Sequence, residues 1–178
     1  ELLTYLVHSE FRIYKYIKAK TLAFDYHLPG STKLHFSKSD YLSTDSGYFK
    51  IKDEVLKTFS PKNKNHFNGK IYILSNGGSR SATSTMLALM RTYYVGTIVG
   101  QESGGVFNDV DGRKNISLTL PYSGIQLGFP AWSFKINSSG GDRLRGVIPD
   151  YIVETTKFGL DNKDSELELV YKLIGENQ

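Results

Sequence analysis

The sequence predicts an α/β fold, a mostly parallel sheet with buried helices plus an antiparallel hairpin, and three observations carry that prediction. Ile71, Tyr72, Ile73 and Leu74 form a short, continuous apolar run bounded by polar residues. From Ser81 onward, Ala82, Met86, Leu87, Leu89, Met90 and Tyr93 are spaced to make a helix that is apolar on nearly every side. Beyond Gly104 and Gly105 the pattern changes to strict alternation, Ile116, Leu118 and Leu120 and then Ile125, Leu127 and Phe129, around Ser123 and Gly124. A continuous apolar run suits a strand covered on both faces of a parallel sheet, whereas alternation suits a hairpin with one face in water.

Taken in order, residues 1 to 20 read as a helix with Leu2, Leu3 and Leu6 on one face, followed by extended, aromatic-rich text at Phe11, Tyr14 and Tyr16. No Met, cap or polar lead-in precedes Glu1, so the expectation is a chain whose parent continues upstream. Turn punctuation at Pro29, Gly30 and Ser31 and at Pro61, Lys62 and Asn63, with a weakly amphipathic stretch from Lys52 to Phe59, marks residues 1–66 as a peripheral segment or small subdomain. Residues 67–178 read as the core. Here the apolar run from Ile71 breaks at Asn76, Gly77, Gly78 and Ser79, the helix begins at Ser81, and a second strand from Thr97 to Val99 follows Gly96. That is a strand, helix, strand unit. After the hairpin, Trp132, Phe134 and Ile136 alternate as a further strand, and Gly146 to Asp150 turns the chain. The last helix opens with Ser165 and Glu168 as a capping box and places Leu167, Val170, Tyr171 and Ile174 on one face.

Composition narrows the function classes. At 178 residues, with 39% hydrophobic content, 12 Tyr and 10 Phe, the chain belongs to the folded globular class, not the disordered one. The net charge of +4 comes from scattered lysines; the densest stretch, Lys50, Lys52, Lys57, Lys62 and Lys64, is interrupted by Asp53 and Glu54 and reads as a solvated loop. No nucleic-acid partner is expected from it. Cysteine is absent, which removes a disulfide framework, a thiol nucleophile and a CxxC metal site together. No metal site and no cofactor motif is read, and with no run of 18 apolar residues no membrane insertion is expected.

The passage into the helix at Ser81 is where an α/β enzyme places a nucleophile, because a serine there sits beside unpaired backbone N–H groups and the positive end of the helix dipole. The alternative is a plain N-cap, and Ser79 and Ser84 compete for either role. An α/β-hydrolase elbow requires glycines two positions either side of the serine, and neither Ser79 nor Ser81 has them. A P-loop requires a Lys-Ser or Lys-Thr pair closing the glycine loop, which is also missing. Among the acids, Glu102 stands beside a glycine turn at a strand end, where a carboxylate orients a base, binds a substrate amine, or is simply solvated. Asp142 precedes the turn at Gly146, and Asp150 reads as a turn residue capping local N–H groups.

Four blocks together resemble the tail-specific, or C-terminal-processing, serine peptidases, a family related to the tricorn-core peptidases and the retinoid-binding proteins of photoreceptors. They are Gly69 to Met90 (GKIYILSNGGSRSATSTMLALM), Ile98 to Gly105 (IVGQESGG), Gly146 to Asp150 (GVIPD) and Asn162 to Ile174 (NKDSELELVYKLI). The resemblance implies a ClpP- and crotonase-like fold, a peptide or protein substrate, no cofactor, and a bacterial envelope or secreted location. It also implies Ser81 as nucleophile and the Ala82 N–H as one oxyanion donor. Two positions depart from the pattern. Val106 stands where Ser/Lys members carry a lysine, and Ser84 where a glutamate is common. The missing lysine points toward the tricorn-like branch, in which an upstream histidine activates the serine and Asp142 falls near an orienting acid. His8, His27, His35 and His66 lie outside the four blocks, so the base is expected upstream of residue 1 and the fragment is expected to be inactive alone. Rival readings are a non-catalytic ligand- or peptide-binding module on the same fold and, by fold analogy alone, a crotonase-like acyl-CoA enzyme. An uncovered sheet edge would also favour a homo-oligomer.

Overall fold

The computed structural model describes residues 1–25, 31, 33–142, 144–154 and 164–175. His27, the turn at Pro29 and Gly30, and the start of the last matched block at Asn162 lie outside them. In chain order the elements are β1 (Phe11–Arg12), β2 (Tyr14–Ala19), β3 (Ala23–Asp25), β4 (Lys33–His35), β5 (Tyr41–Ser43), β6 (Phe49–Ile51), β7 (Thr58–Phe59) and β8 (Tyr72–Ser75). They continue with α1 (Ala82–Thr92), β9 (Thr97–Gly100), β10 (Asp109–Thr119), β11 (Gln126–Ile136), β12 (Tyr151–Ile152) and α2 (Ser165–Gly175). The result is a mixed α/β chain that divides into two units, one of Glu1–Phe11, Phe59–Asn108 and Ser138–Gln178, the other of Arg12–Thr58 and Asp109–Asn137.

The first unit holds the strand, helix, strand passage. Its sheet has three parallel strands in the order β12-β9-β8, with Tyr72 opposite Thr97, Ser75 opposite Gly100, and Tyr151 opposite Val99. The strand buried on both faces is β9, where Ile98 and Val99 are 1% and 0% exposed. Sequence reasoning gave that place to β8, which instead lies at the sheet edge with Leu74 exposed. Both strands carry the same apolar signal, and only the sheet order separates them. Helix α1 buries Ser84, Thr85 and every residue from Leu87 to Met90, as its all-round apolar pattern requires. Helix α2 forms where expected but in a different phase. Asp164, not Ser165, caps it, accepting the Leu167 N–H at 2.9 Å, and Val170, Leu173 and Leu169 pack against Val99 while Tyr171 is exposed. The N-terminal helix is a single 3-10 turn, Leu2–Tyr5, that buries Leu3, Thr4 and, just beyond, Val7, leaving Leu2 exposed.

The second unit is antiparallel. Its main sheet runs β10-β11-β2-β6-β5, and β3 pairs with β4. Parallel pairing is therefore confined to three strands among the described residues, and the sheets as a whole are mostly antiparallel, contrary to the sequence expectation. The reason is connectivity: a parallel pair needs a crossover, which α1 supplies between β8 and β9 and the long excursion through β10 and β11 supplies between β9 and β12. The expected hairpin is present, with Ile116 opposite Phe129 and Leu118 opposite Leu127. The text at Trp132, Phe134 and Ile136 is no separate strand but the continuation of β11, which there also pairs with β2. Pro130 sits within β11 opposite Asn115, beside a register shift between Gly112 and Asn115. A residue without an N–H is tolerated where the ladder is already irregular. Ile17, Ala19, Tyr41, Ile51, Leu56 and Phe134 form this unit's core, with Trp132 stacked on Phe36 at 5.1 Å.

Candidate active site around Ser81

Between β8 and α1 the chain makes a tight, internally bonded loop. The Ser79 N–H donates to the Asn76 carbonyl at 2.8 Å and the Gly78 N–H to Asn76 Oδ1 at 2.9 Å, while the Asn76 N–H donates to Ser79 Oγ at 3.2 Å. The side-chain oxygen of an Asn or Asp is what closes such a turn beside the backbone carbonyl. Ser79 is thus committed to the loop. Ser84 is 0% exposed, and its hydroxyl donates to the Ser79 carbonyl at 2.7 Å, tying the loop to the first turn of α1. A sealed hydroxyl cannot attack a substrate, so of the three serines only Ser81 remains exposed with an uncommitted side chain.

Ser81 opens α1 but does not cap it: its side chain makes no capping hydrogen bond, and its backbone stands at φ 53°, ψ −118°. A non-glycine residue with positive φ at a strand-to-helix junction carries strain of about 1–3 kcal/mol. That is the posture by which nucleophile elbows lift a hydroxyl into the open, reached here without the flanking glycines. Behind it the Thr83 N–H closes on the Arg80 carbonyl at 3.1 Å and the Thr85 N–H on the Ser81 carbonyl at 3.0 Å. The Ala82 N–H has no backbone acceptor among the described residues. It is the first of the donors that every helix start leaves unpaired.

The loop from Glu102 to Val106 holds this arrangement from outside. The Gly104 N–H donates to the Ser79 carbonyl at 3.1 Å. A Cβ at Gly104 would fall 2.0 Å from the Gly77 oxygen, and one at Gly105 would fall 2.3 Å from Ser84 Oγ, so both positions require glycine by close approach. Glu102 does not reach toward Ser81 through any hydrogen bond. Its carboxylate accepts from Arg145 Nη2 at 2.6 Å, from Arg145 Nε at 3.3 Å and from the Gly146 N–H at 2.7 Å. The Arg145 bonds, followed by the Gly146 N–H, hold this carboxyl below the usual glutamate range. Next to it, Ser103 Oγ accepts the Val147 N–H at 2.8 Å and donates to the Gly105 carbonyl at 3.0 Å. Glu102 is a partly exposed loop acid whose carboxylate clamps the glycine turn to Arg145 and Gly146.

Asp142 is exposed, and its Oδ1 accepts the Leu144 N–H at 2.9 Å as a local turn. Asp150 was expected to cap nearby N–H groups. Instead it accepts the Ile98 N–H of β9 at 2.8 Å and pairs with Arg91, whose other arm donates to the Ile148 carbonyl at 2.7 Å, so the acid ties α1 to the parallel sheet. Of the histidines, His8 and His66 pack on each other with ring centroids 4.5 Å apart, and His35 is exposed on β4. No hydrogen bond joins a described histidine to Ser81. Val106 is 37% exposed and supplies no proton acceptor. Sequence reasoning missed Arg145 and Ser103, because a partner 43 or 44 residues away leaves no trace in local spacing.

The model of peptidase family S41 matches residues 18–153. No curated protein matches the chain. A crystal structure described as "a putative peptidase from Parabacteroides merdae ATCC 43184" superposes with a TM-score of 0.54 at 16% identity, over 97% of this chain and 45% of that one. The chain thus spans less than half the length of that protein, and at such identity the likeness is one of fold. The strand, loop and helix that present Ser81, the glycine turn behind them and the Arg145–Val147 clamp all fall inside the matched residues, and the match covers most of the chain: it belongs to peptidase family S41.

Proposed function

We propose that this chain carries the nucleophile of a serine peptidase of the tail-specific kind, tricorn-like in lacking a lysine base. The β8, α1, β9 unit would then be the C-terminal part of a ClpP- and crotonase-like catalytic domain. Ser81 Oγ attacks the scissile carbonyl, the Ala82 N–H receives the developing oxyanion, and an acyl-enzyme is released by water. The observation that carries this reading is the backbone of Ser81: exposed, strained and free of any capping bond, it gains nothing as a helix cap.

The general base is proposed to come from outside this chain. Val106 occupies the place of the Ser/Lys lysine, and no hydrogen bond joins a described histidine to Ser81. On this reading the 178-residue chain alone does not turn over peptides at an enzymatic rate. A serine-directed phosphonate probe should label the parent enzyme at Ser81 and leave its Ser81→Ala variant unlabelled. Full peptidase activity in the parent Ser81→Ala variant would sink the proposal.

A further inference from the structure

We infer that Arg80 is a specificity residue that selects a carboxylate on the substrate close to the scissile bond. The inference rests on Ser81 being the reacting residue. Arg80 immediately precedes Ser81 and is exposed. Its Nε donates to the Gly77 carbonyl at 3.2 Å, which fixes the guanidinium over the glycine loop. The perch is shaped for it: a Cβ at Gly104 would fall 2.9 Å from Arg80 Nε. With Nε occupied, the two Nη groups remain, a planar fork matched to two carboxylate oxygens.

No acid of the described residues fills that fork. Ion pairs of this unit among the described residues include Arg91 with Asp150 and Arg145 with Glu102. Glu102, the acid of the neighbouring loop, is held ionised by Arg145 and Gly146, so its charge is already balanced. Arg80 thus leaves a net positive charge beside the nucleophile. A flexible surface arginine would lose side-chain entropy on gripping a ligand; one pinned at Nε has already lost part of it. An Asp or Glu side chain and the free end of a peptide chain both offer the same two carboxylate oxygens.

Fluorescence anisotropy on the 178-residue Ser81→Ala protein distinguishes these sources, using four labelled hexapeptides with Glu or Gln at one internal position and a free or amidated C-terminus. Expected is about fivefold tighter binding of the carboxylate-bearing peptides, weakening with added salt. Arg80→Gln should erase that preference and Arg80→Lys keep part of it, with thermal midpoints of both variants matching the parent's. A preference for Glu over Gln identifies a side-chain carboxylate, and one for the free over the amidated terminus identifies the chain end. Equal binding of all four peptides, no binding of any, or a preference that survives Arg80→Gln would overturn the inference. Phosphonate labelling of Ser81 in Arg80→Gln reports on the nucleophile separately: lost labelling in the parent enzyme undermines the peptidase reading, whatever the peptides do.

Discussion

At φ 53° and ψ −118°, Ser81 occupies backbone space that glycine tolerates better than serine. Ser81→Gly should therefore raise the free energy of unfolding by about 1 kcal/mol in denaturant melts while removing all probe labelling. A residue kept for capping would show the reverse, a loss of stability. Cap and nucleophile are identical at the level of sequence, since both are a serine before an apolar helix, and only the torsion angle separates them. Glu102 gives a second test at this scale. Its folded-state pKa lies below its unfolded value, so its contribution to stability is complete above the ordinary carboxylate range, near pH 4.3, and is lost as pH falls through the lower folded value. Thermal midpoints of the native protein should thus drop between about pH 4.5 and 3 by more than those of Glu102→Gln. Because the pair is solvent-exposed, the difference is expected to be modest.

Elements written by local periodicity were legible; their partners were not. The apolar spacing of α1, the strand at Thr97 and the alternation from Ile116 to Phe129 all appear where the pattern placed them. The extent of α2 was legible as well, but its phase was not, because Leu167, Val170, Tyr171 and Ile174 make as good a stripe as Leu169, Val170 and Leu173. The sheet face decides between them. Leu173→Ala should cost about 2–4 kcal/mol, whereas Ile174→Ala, 40% exposed, should cost under about 1, measured by chemical unfolding. Parallel against antiparallel order was misjudged for a related reason. An apolar run such as Ile71–Leu74 announces that a strand exists, not how many neighbours it has. The site was half legible in the same sense: Ser81, Ala82 and the glycine turn stand in adjacent text, while the Glu102 to Arg145 clamp joins segments 43 residues apart.

For the molecule as a whole, the edge at β8 is the feature that bears on association. Among the described residues β8 pairs only with β9, and Leu74 is 44% exposed there. Unpaired strand edges with apolar side chains recruit further strands. We propose that the isolated chain self-associates along this edge, so multi-angle light scattering should show species above monomer mass, diminished in Leu74→Lys; a purely monomeric profile would rule this out. The clamp has a consequence for how the protein is born. Arg145 and Gly146 emerge from the ribosome 43 and 44 residues after Glu102, an interval of several seconds at ordinary rates of synthesis. During that interval the nascent polypeptide already exposes its serine but lacks the latch that steadies the turn behind it. The turn behind Ser81 is therefore steadied only once Arg145 and Gly146 have been made.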